Sequence, residues 1–370
     1  MTKRVLIIGG YGNFGSYIAK ALASDENIKL YIGGRSLSKA TALSGTLPTD
    51  SAEPIALDVT KTLDEALKQT KPDIIIHTSG PFQGQSYHVA EAAIKHGAHY
   101  IDLADGRDFV EGIPALNKQA CAQGLLVVSG ASSVPCLSSC IIDHYLPEFT
   151  ALTEVHYGIS TAQITNRGHA TTAAVLSYAG KPFETLAEGE VSIIYGWQNL
   201  HCETFTDLGK RWLGNCDIPD LALFPTRYPT LKTHRFYAGL ELPFLHIGLW
   251  SLTWLVRMKL IKNLDTLTVK MLKASFWFDR FGSEESGFYM SLSGEGLEGE
   301  DKCIRFDLTA KSGDGPYIPC MPAILLTKKL AKDELTARGA MPCVGLITLD
   351  EYLSALEPLD ITWRVEQVKL

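Results

Sequence analysis

Residues 3–36 read KRVLIIGGYGNFGSYIAKALASDENIKLYIGGRS, and this stretch decides the fold. A charged start runs into an apolar strand over residues 3–8. Glycines follow at 9, 10, 12 and 15, and residues 16–23 have the spacing of a helix. A second apolar run at 30–32 closes on Gly33-Gly34-Arg35-Ser36. In Gly10-x-Gly12-x-x-Gly15 the glycines permit a tight turn, let backbone N–H groups approach a diphosphate, and allow close helix–strand packing. The helix start adds partial positive charge and free N–H donors. Tyr11, Asn13 and Phe14 fill the variable positions of the same turn. The end of the second strand sets which dinucleotide fits. A carboxylate there would bond the ribose 2′-OH of NAD, whereas an arginine accommodates the 2′-phosphate of NADP. Arg35 and Ser36 stand at this point and residues 28–38 hold no carboxylate, so NADP(H) is expected over NAD(H). The plainer reading of Arg35 is a solvated arginine at a helix start.

A chain of 370 residues has room for two domains. Its 46% apolar and 20% charged residues fit a well-buried water-soluble protein. The net charge of −7 comes without a basic cluster, which argues against a nucleic-acid partner. Eight cysteines are scattered with no C-x-x-C pair, and the start M-T-K-R is no secretory signal. A cytoplasmic protein with reduced thiols is the expectation. Cys136 and Cys140 share a helix face; they read as small core residues rather than metal ligands, and no metal site is expected.

Further along, residues 53–57 form a strand ending at Asp58-Val59, and 60–69 a helix with Thr60 as N-cap. Strands follow at 73–77, 98–103 and 125–129. Between them lie helices at 84–96, closed by Gly97, and at 108–123, broken at Gly112 and Pro114. This alternation is that of an α/β fold, a Rossmann doubly wound parallel sheet. It occupies residues 1–131. The pattern then changes. A linking helix at 134–145 precedes strands at 152–159, 190–197, 233–238, 287–294 and 303–310 without regular crossovers. Residues 132–315 therefore read as a second α+β domain with a largely antiparallel sheet, suited to substrate binding and dimerisation. Residues 316–370 form a C-terminal segment with helices at 321–330 and 349–356.

The run 242–261 is apolar on every side, but its uncharged core of residues 242–256 is shorter than the roughly 18–20 residues that span a bilayer. One reading is a core or dimer-interface helix, which makes a homodimer the expected assembly. The other is peripheral membrane contact, with Trp250 and Trp254 at the interface and Arg257, Lys259 and Lys262 facing head groups.

Candidate chemistry gathers at strand ends. Asp58 and Val59 stand where adenine would lie, or cap the next helix. Ser79-Gly80-Pro81-Phe82 ends the fourth strand at the carboxyl edge, where ligands sit, with Phe82 available to the nicotinamide side. Asp102 and Asp105 end the fifth strand; Asp105 is the candidate to orient a substrate or act as a base if burial raises its pKa. His88 and Tyr87, one turn into the next helix, are further catalytic candidates. In Asn166-Arg167-Gly168-His169-Ala170-Thr171-Thr172, Arg167 and His169 are candidates to meet the substrate. Each has a plainer reading as a loop, capping or core residue. Gly313-Asp314-Gly315-Pro316-Tyr317 reads as a turn before the last helices.

These motifs resemble the saccharopine dehydrogenase-like (saccharopine reductase-like) oxidoreductases. The resemblance rests on GGYGNFG at 9–15, GPFQG at 80–84, AEAAIKHG at 90–97, YIDLADG at 100–106 and SGASSVPCL at 129–137. It is strongest over residues 1–145. It implies a Rossmann domain and an α+β domain with a cleft between them, and a C-terminal segment returning towards the first. It also implies NADP(H)- or NAD(H)-dependent reduction of imines or oxidation of secondary amines. Ala131-Ser132-Ser133-Val134-Pro135 departs from the saccharopine reductases, and no arginine set for two amino-acid carboxylates is evident. The expected activity is hydride transfer to or from a C=N, C–N or C=C bond of a small or lipid-like metabolite other than saccharopine. The alternative is a non-catalytic NADP(H)-binding sensor or membrane-associated docking protein, since no proton donor is obvious.

Overall fold

Val5, Leu6 and Ile7 have no exposed surface and Ile8 has 1%, so β1 (Lys3–Ile8) is a central strand covered on both faces. The computed structural model describes residues 2–48, 51–165 and 167–368; Asn166 lies outside the described residues. After β1 come β2 (Ile28–Gly34), β3 (Ala52–Ala56), β4 (Ile74–His77), β5 (His99–Asp102) and β6 (Leu126–Ser129). Their spatial order is β3-β2-β1-β4-β5-β6, and every neighbouring pair is parallel. This is the doubly wound order, whose switch point lies between β1 and β4. Helices α1 (Asn13–Leu22), α2 (Leu37–Ser44), α3 (Leu63–Thr70) and α4 (His88–Lys95) alternate with the first strands. On one face of the sheet Leu6, Ile75, Tyr100 and Val127 pack with Leu67 of α3 and Val89 and Ile94 of α4.

Several boundaries move from the sequence reading. The first helix begins three residues earlier, at Asn13, because Gly12 is its N-cap in extended conformation. Thr60 is not an N-cap. Its N–H and hydroxyl both donate to the Asp58 carboxylate, and α3 starts at Leu63 after Thr62. Residues 84–87 form a turn before α4, with Gly84 at φ +75°.

A strand that the sequence did not announce, Gly339–Pro342, pairs in parallel with β6 and makes the sheet seven-stranded. Four residues with a glycine and a proline carry almost no strand signal; the neighbouring edge supplies the hydrogen bonds that make them one.

The second sheet runs, by residue range, 201–205, 209–215, 233–240, 149–161, 286–296, 301–310, 361–368. All its pairings are antiparallel except that of 233–240 with 149–161. A hairpin of Pro182–Ala187 and Glu190–Tyr195 stands as its own two-stranded sheet.

The chain divides into two compact units, residues 1–140 with 316–355 and residues 141–315 with 356–370. The expected boundary at 315/316 coincides with this division, whereas that at 131/132 falls nine residues before it. Residues 132–140 stay with the first unit. The C-terminal segment 316–370 is shared, because Ile361–Val368 pairs with Asp301–Ala310 as an edge strand of the second sheet. Within 242–261 the helix is Pro243–Arg257. Among the described residues, no helix is long and apolar enough to cross a membrane.

Candidate cofactor site

The turn after β1 is shaped by backbone contacts that side chains would block. Gly9 has φ +80°. The N–H groups of Gly9 and Gly10 donate to the Gly33 carbonyl at 2.9 and 3.0 Å, and Gly12 N–H donates to the Gly9 carbonyl at 2.8 Å. A Cβ on Gly12 would lie 2.9 Å from the Gly9 carbonyl oxygen, and one on Gly15 only 2.3 Å from it. The chain must therefore pass bare at both positions, and this leaves a concave run of backbone at the start of α1. Asn13 Oδ1 is buried there without a hydrogen-bond partner among the described residues. A cradle that Cβ atoms would fill, beside an orphaned buried oxygen at a helix start, fits a dinucleotide diphosphate and its ribose.

Tyr11 joins this turn to the end of β2. Its ring lies so close over Gly34 that a Cβ there would come 2.3 Å from it, and its hydroxyl accepts the Ser36 N–H at 2.9 Å. Arg35 is exposed and makes no ion pair or hydrogen bond among the described residues. Ser36 is the N-cap of α2, its Oγ accepting from Lys39 N–H at 3.4 Å. An unpaired guanidinium thus stands beside the N-terminus of a helix, with no carboxylate on the same turn. Arg35 also helps hold Asp58 below the usual carboxylate range, although the Thr60 hydrogen bonds do most of this. Asp58 is therefore engaged in its own turn. Val59 is half-buried against the apolar core, and Phe14 offers its carbonyl to Cys320 of the 317–331 helix at 3.6 Å.

The loop after β4 lies against the glycine turn. Thr78 Oγ1 donates to the Ile8 carbonyl at 2.9 Å, and a Cβ on Gly9 would lie 2.7 Å from both the Thr78 and Ser79 hydroxyls. Gln85 donates to the carbonyls of Ser79 and Pro81 at 3.1 and 2.6 Å and holds Gly80 and Pro81 in a tight loop. Phe82, expected on the nicotinamide side, is buried in the core. It is 4% exposed, with its ring against His77 at 5.1 Å and Phe109 at 5.3 Å, because the apolar layer below the loop outcompetes the surface for it.

The loop after β5 joins the same edge. Gln83 donates to Asp105 Oδ1 at 3.1 Å, and Gly106 packs on the Phe82–Gln83 backbone. Asp105 is half-buried; burial raises its pKa and the Gln83 bond opposes the rise. Asp102 differs. It is fully buried, and one oxygen accepts from Ala104 N–H, Ser129 Oγ and Gly130 N–H, each at 2.9 Å. Burial pushes its pKa up to about 6, while these hydrogen bonds oppose the rise and tie it to the β5–β6 edge. His77, also buried and bonded to Tyr100 Oη at 2.9 Å, is pushed down to about 3 and is neutral.

The remaining candidates are scattered. Tyr87 donates its hydroxyl to the Phe109 carbonyl at 2.8 Å, and burial raises its pKa. His88 Nδ1 meets Ser86 Oγ at 3.2 Å, while its Nε2 is buried without a partner among the described residues. Arg167 and His169 belong to the second unit. Arg167 is ion-paired with Asp279, and its guanidinium lies 4.5 Å from the Phe276 ring centre. Asp279 engages one of its nitrogens, while its Nε and Nη1 are buried without a hydrogen-bond partner among the described residues. His169 is exposed at the start of the 169–178 helix.

Sequence reading missed Thr78, Gln83 and Gln85. Their only signal was position, as polar residues just past an apolar strand at the carboxyl edge. It also missed that Cys343 joins Cys136 and Cys140 in the core, where burial raises the Cys136 thiol pKa. All eight cysteines are free. Among the described residues no group of three or more His, Cys, Asp or Glu could hold a metal ion.

A parallel sheet in the order 3-2-1-4-5-6 with a bare glycine turn at its switch point defines a dinucleotide-binding domain. Residues 5–128 match the family model described as saccharopine dehydrogenase NADP binding domain. That match covers the first sheet up to β6, and the chain as a whole has the saccharopine dehydrogenase fold. It superposes on apo saccharopine dehydrogenase (L-Glu forming) from Saccharomyces cerevisiae with a TM-score of 0.70 at 13% identity, covering 99% of this chain and 100% of that one. An amine dehydrogenase from Mycobacterium smegmatis matches with a TM-score of 0.50 at 12% identity, over 95% and 96% of the two chains. A curated relative, "Lipid droplet localized protein" of Caenorhabditis elegans, is 24% identical over 143 residues. That match spans 35% of this chain and 34% of the relative.

Proposed function

We propose that this chain is an NADP(H)-dependent oxidoreductase that transfers a hydride to or from a C=N or C–N bond, or a C=C bond, of a small or lipid-like metabolite other than saccharopine. The observation that carries the reading is the pairing of a bare glycine cradle with an unpaired Arg35, linked through Tyr11. Gly10 and Gly12, bare of side chains, would let the diphosphate approach the backbone, and the first N–H groups of α1 would hold it. Arg35 and the Ser36-capped start of α2 would take the 2′-phosphate. Bound NADP(H) supplies the hydride chemistry. The chain's own task is to align the reacting carbon and exclude water.

Asp105 is the residue best suited to hold a proton at this edge. It stands beside the 79–85 loop, Gln83 orients it, and burial raises its pKa so that it keeps a proton to higher pH than a surface aspartate. Tyr87 and His88 are engaged with Phe109 and Ser86 and serve the fold more plainly than the reaction. That engagement favours the second reading, a non-catalytic NADP(H)-binding sensor.

Calorimetric titration with NADPH and NADP+ tests the cofactor, and NADPH consumption across imine, ketone and enoyl panels tests the activity. Binding with turnover supports the oxidoreductase. Tight binding without turnover on any panel gives the sensor. The absence of binding removes both.

A further inference from the structure

The helix Pro243–Arg257 carries two apolar stripes on opposite sides. His246, Leu249, Thr253 and Val256, spaced three and four apart, are its buried face. Phe244, Ile247 and Trp254, three and seven apart, lie on the other side with Met258 just past its end, and all four are exposed. A helix seated in a fold normally shows water a polar stripe there. The apolar surface continues past the helix. Leu260 is 67% exposed, and Trp277, after the helix Thr268–Phe276, is 78% exposed. The two helices meet where the Phe244 and Phe278 rings lie 5.1 Å apart, so the start of one and the end of the other share one surface. Residues 257–280 hold six Lys or Arg and two Asp, on a chain whose net charge is −7. One of those two aspartates, Asp279, is already paired with Arg167. The basic side chains at 257, 259, 262, 270, 273 and 280 are all exposed.

We propose that this helical pair docks in the plane of an anionic phospholipid surface, with Trp254, Leu260 and Trp277 entering the acyl boundary and the lysines meeting phosphate head groups. Aromatic and aliphatic tips rimmed by flexible cations match the layered chemistry of such an interface, apolar below and anionic above. A second copy of the chain would bring the same excess of positive charge against itself, which is why lipid is the better occupant. The helix of fifteen residues is about 22 Å long, enough to lie along the interface and too short to cross it.

The test is co-sedimentation of the full chain with vesicles of phosphatidylcholine alone and of phosphatidylcholine with phosphatidylglycerol. The chain should pellet with the anionic vesicles, and added salt should weaken this. The triple variant Trp254→Ser/Leu260→Ser/Trp277→Ser changes only exposed side chains. It should lose about tenfold or more of the vesicle binding at an unchanged melting temperature. A wild-type chain left in the supernatant overturns the proposal, as does a triple variant that binds like wild type. If the chain ignores vesicles and the variant instead turns a dimer into a monomer in sedimentation velocity, the surface belongs to a second copy. None of these readouts involves the nucleotide, so they stand or fall apart from the hydride-transfer reading.

Discussion

At Arg35 the guanidinium is exposed and unpaired, so its removal costs the fold little and shows directly in binding. Arg35→Ala should weaken NADPH by about 1.5–3 kcal/mol, roughly ten- to a hundredfold, with NADH nearly unchanged. Equal losses by calorimetry would refute the 2′-phosphate assignment. His77 gives a pH signature. Its ordinary pKa is 6.5 and burial in the fold pushes it down to about 3, so the unfolded chain takes the proton first as pH falls. The stability it contributes is complete above 6.5 and is lost as pH falls towards about 3. Asp102 works the other way: raised from 3.8 to about 6, its share is present at low pH and lost as pH rises through about 6. The displacement at His77 is the larger, and His99, pushed down to about 4, adds to it. The urea midpoint should therefore drop between about pH 6.5 and pH 4. His77→Gln should make that drop shallower; an unchanged slope would show that other groups govern it.

The element on which the cofactor reading turns is the glycine bend with α1. Gly15→Ala would press a methyl group into the Gly9 carbonyl, an immovable backbone atom 2.3 Å away. The expected cost is about 1–3 kcal/mol of stability, with NADPH affinity falling as the helix is pushed off the strand. Thermal melts paired with titration measure both. A fully stable variant with intact affinity would mean that the bend relaxes freely. The helix Pro243–Arg257 teaches a different lesson at this scale. Its sequence is apolar all round and reads first as a core or dimer-interface helix, with a membrane-facing surface as the other reading. In the fold it is both, with one stripe buried and the other facing out.

Across the whole molecule, the C-terminal segment divides its work. The strand Gly339–Pro342 completes the first sheet, and the helix Tyr317–Ala331 packs on α1 through the Tyr17–Tyr317 ring contact at 4.5 Å and the Cys320–Phe14 bond. The strand Ile361–Val368 instead closes an edge of the second sheet. A chain ending at residue 355 should keep NADPH binding while the second unit melts earlier. One ending at residue 315 should lose binding as well. Differential scanning calorimetry with titration separates the cases, and retained affinity in the shorter chain would show that the first sheet stands without its seventh strand.

The Rossmann half, its glycine turn, Arg35 and the change to a second, largely antiparallel domain are legible in the amino-acid order alone. Those features are local: strand periodicity, turn chemistry and a charge at a fixed distance are written within a few dozen residues. Folding in three dimensions is what makes Phe82 core, pairs Arg167 with Asp279, sets Gln83 against Asp105 and turns Gly339–Pro342 into a strand at all. In each case the deciding partner is supplied by folding, distant in the chain or beneath a neighbouring loop. Burial and pairing with such partners override the local preference that a sequence displays.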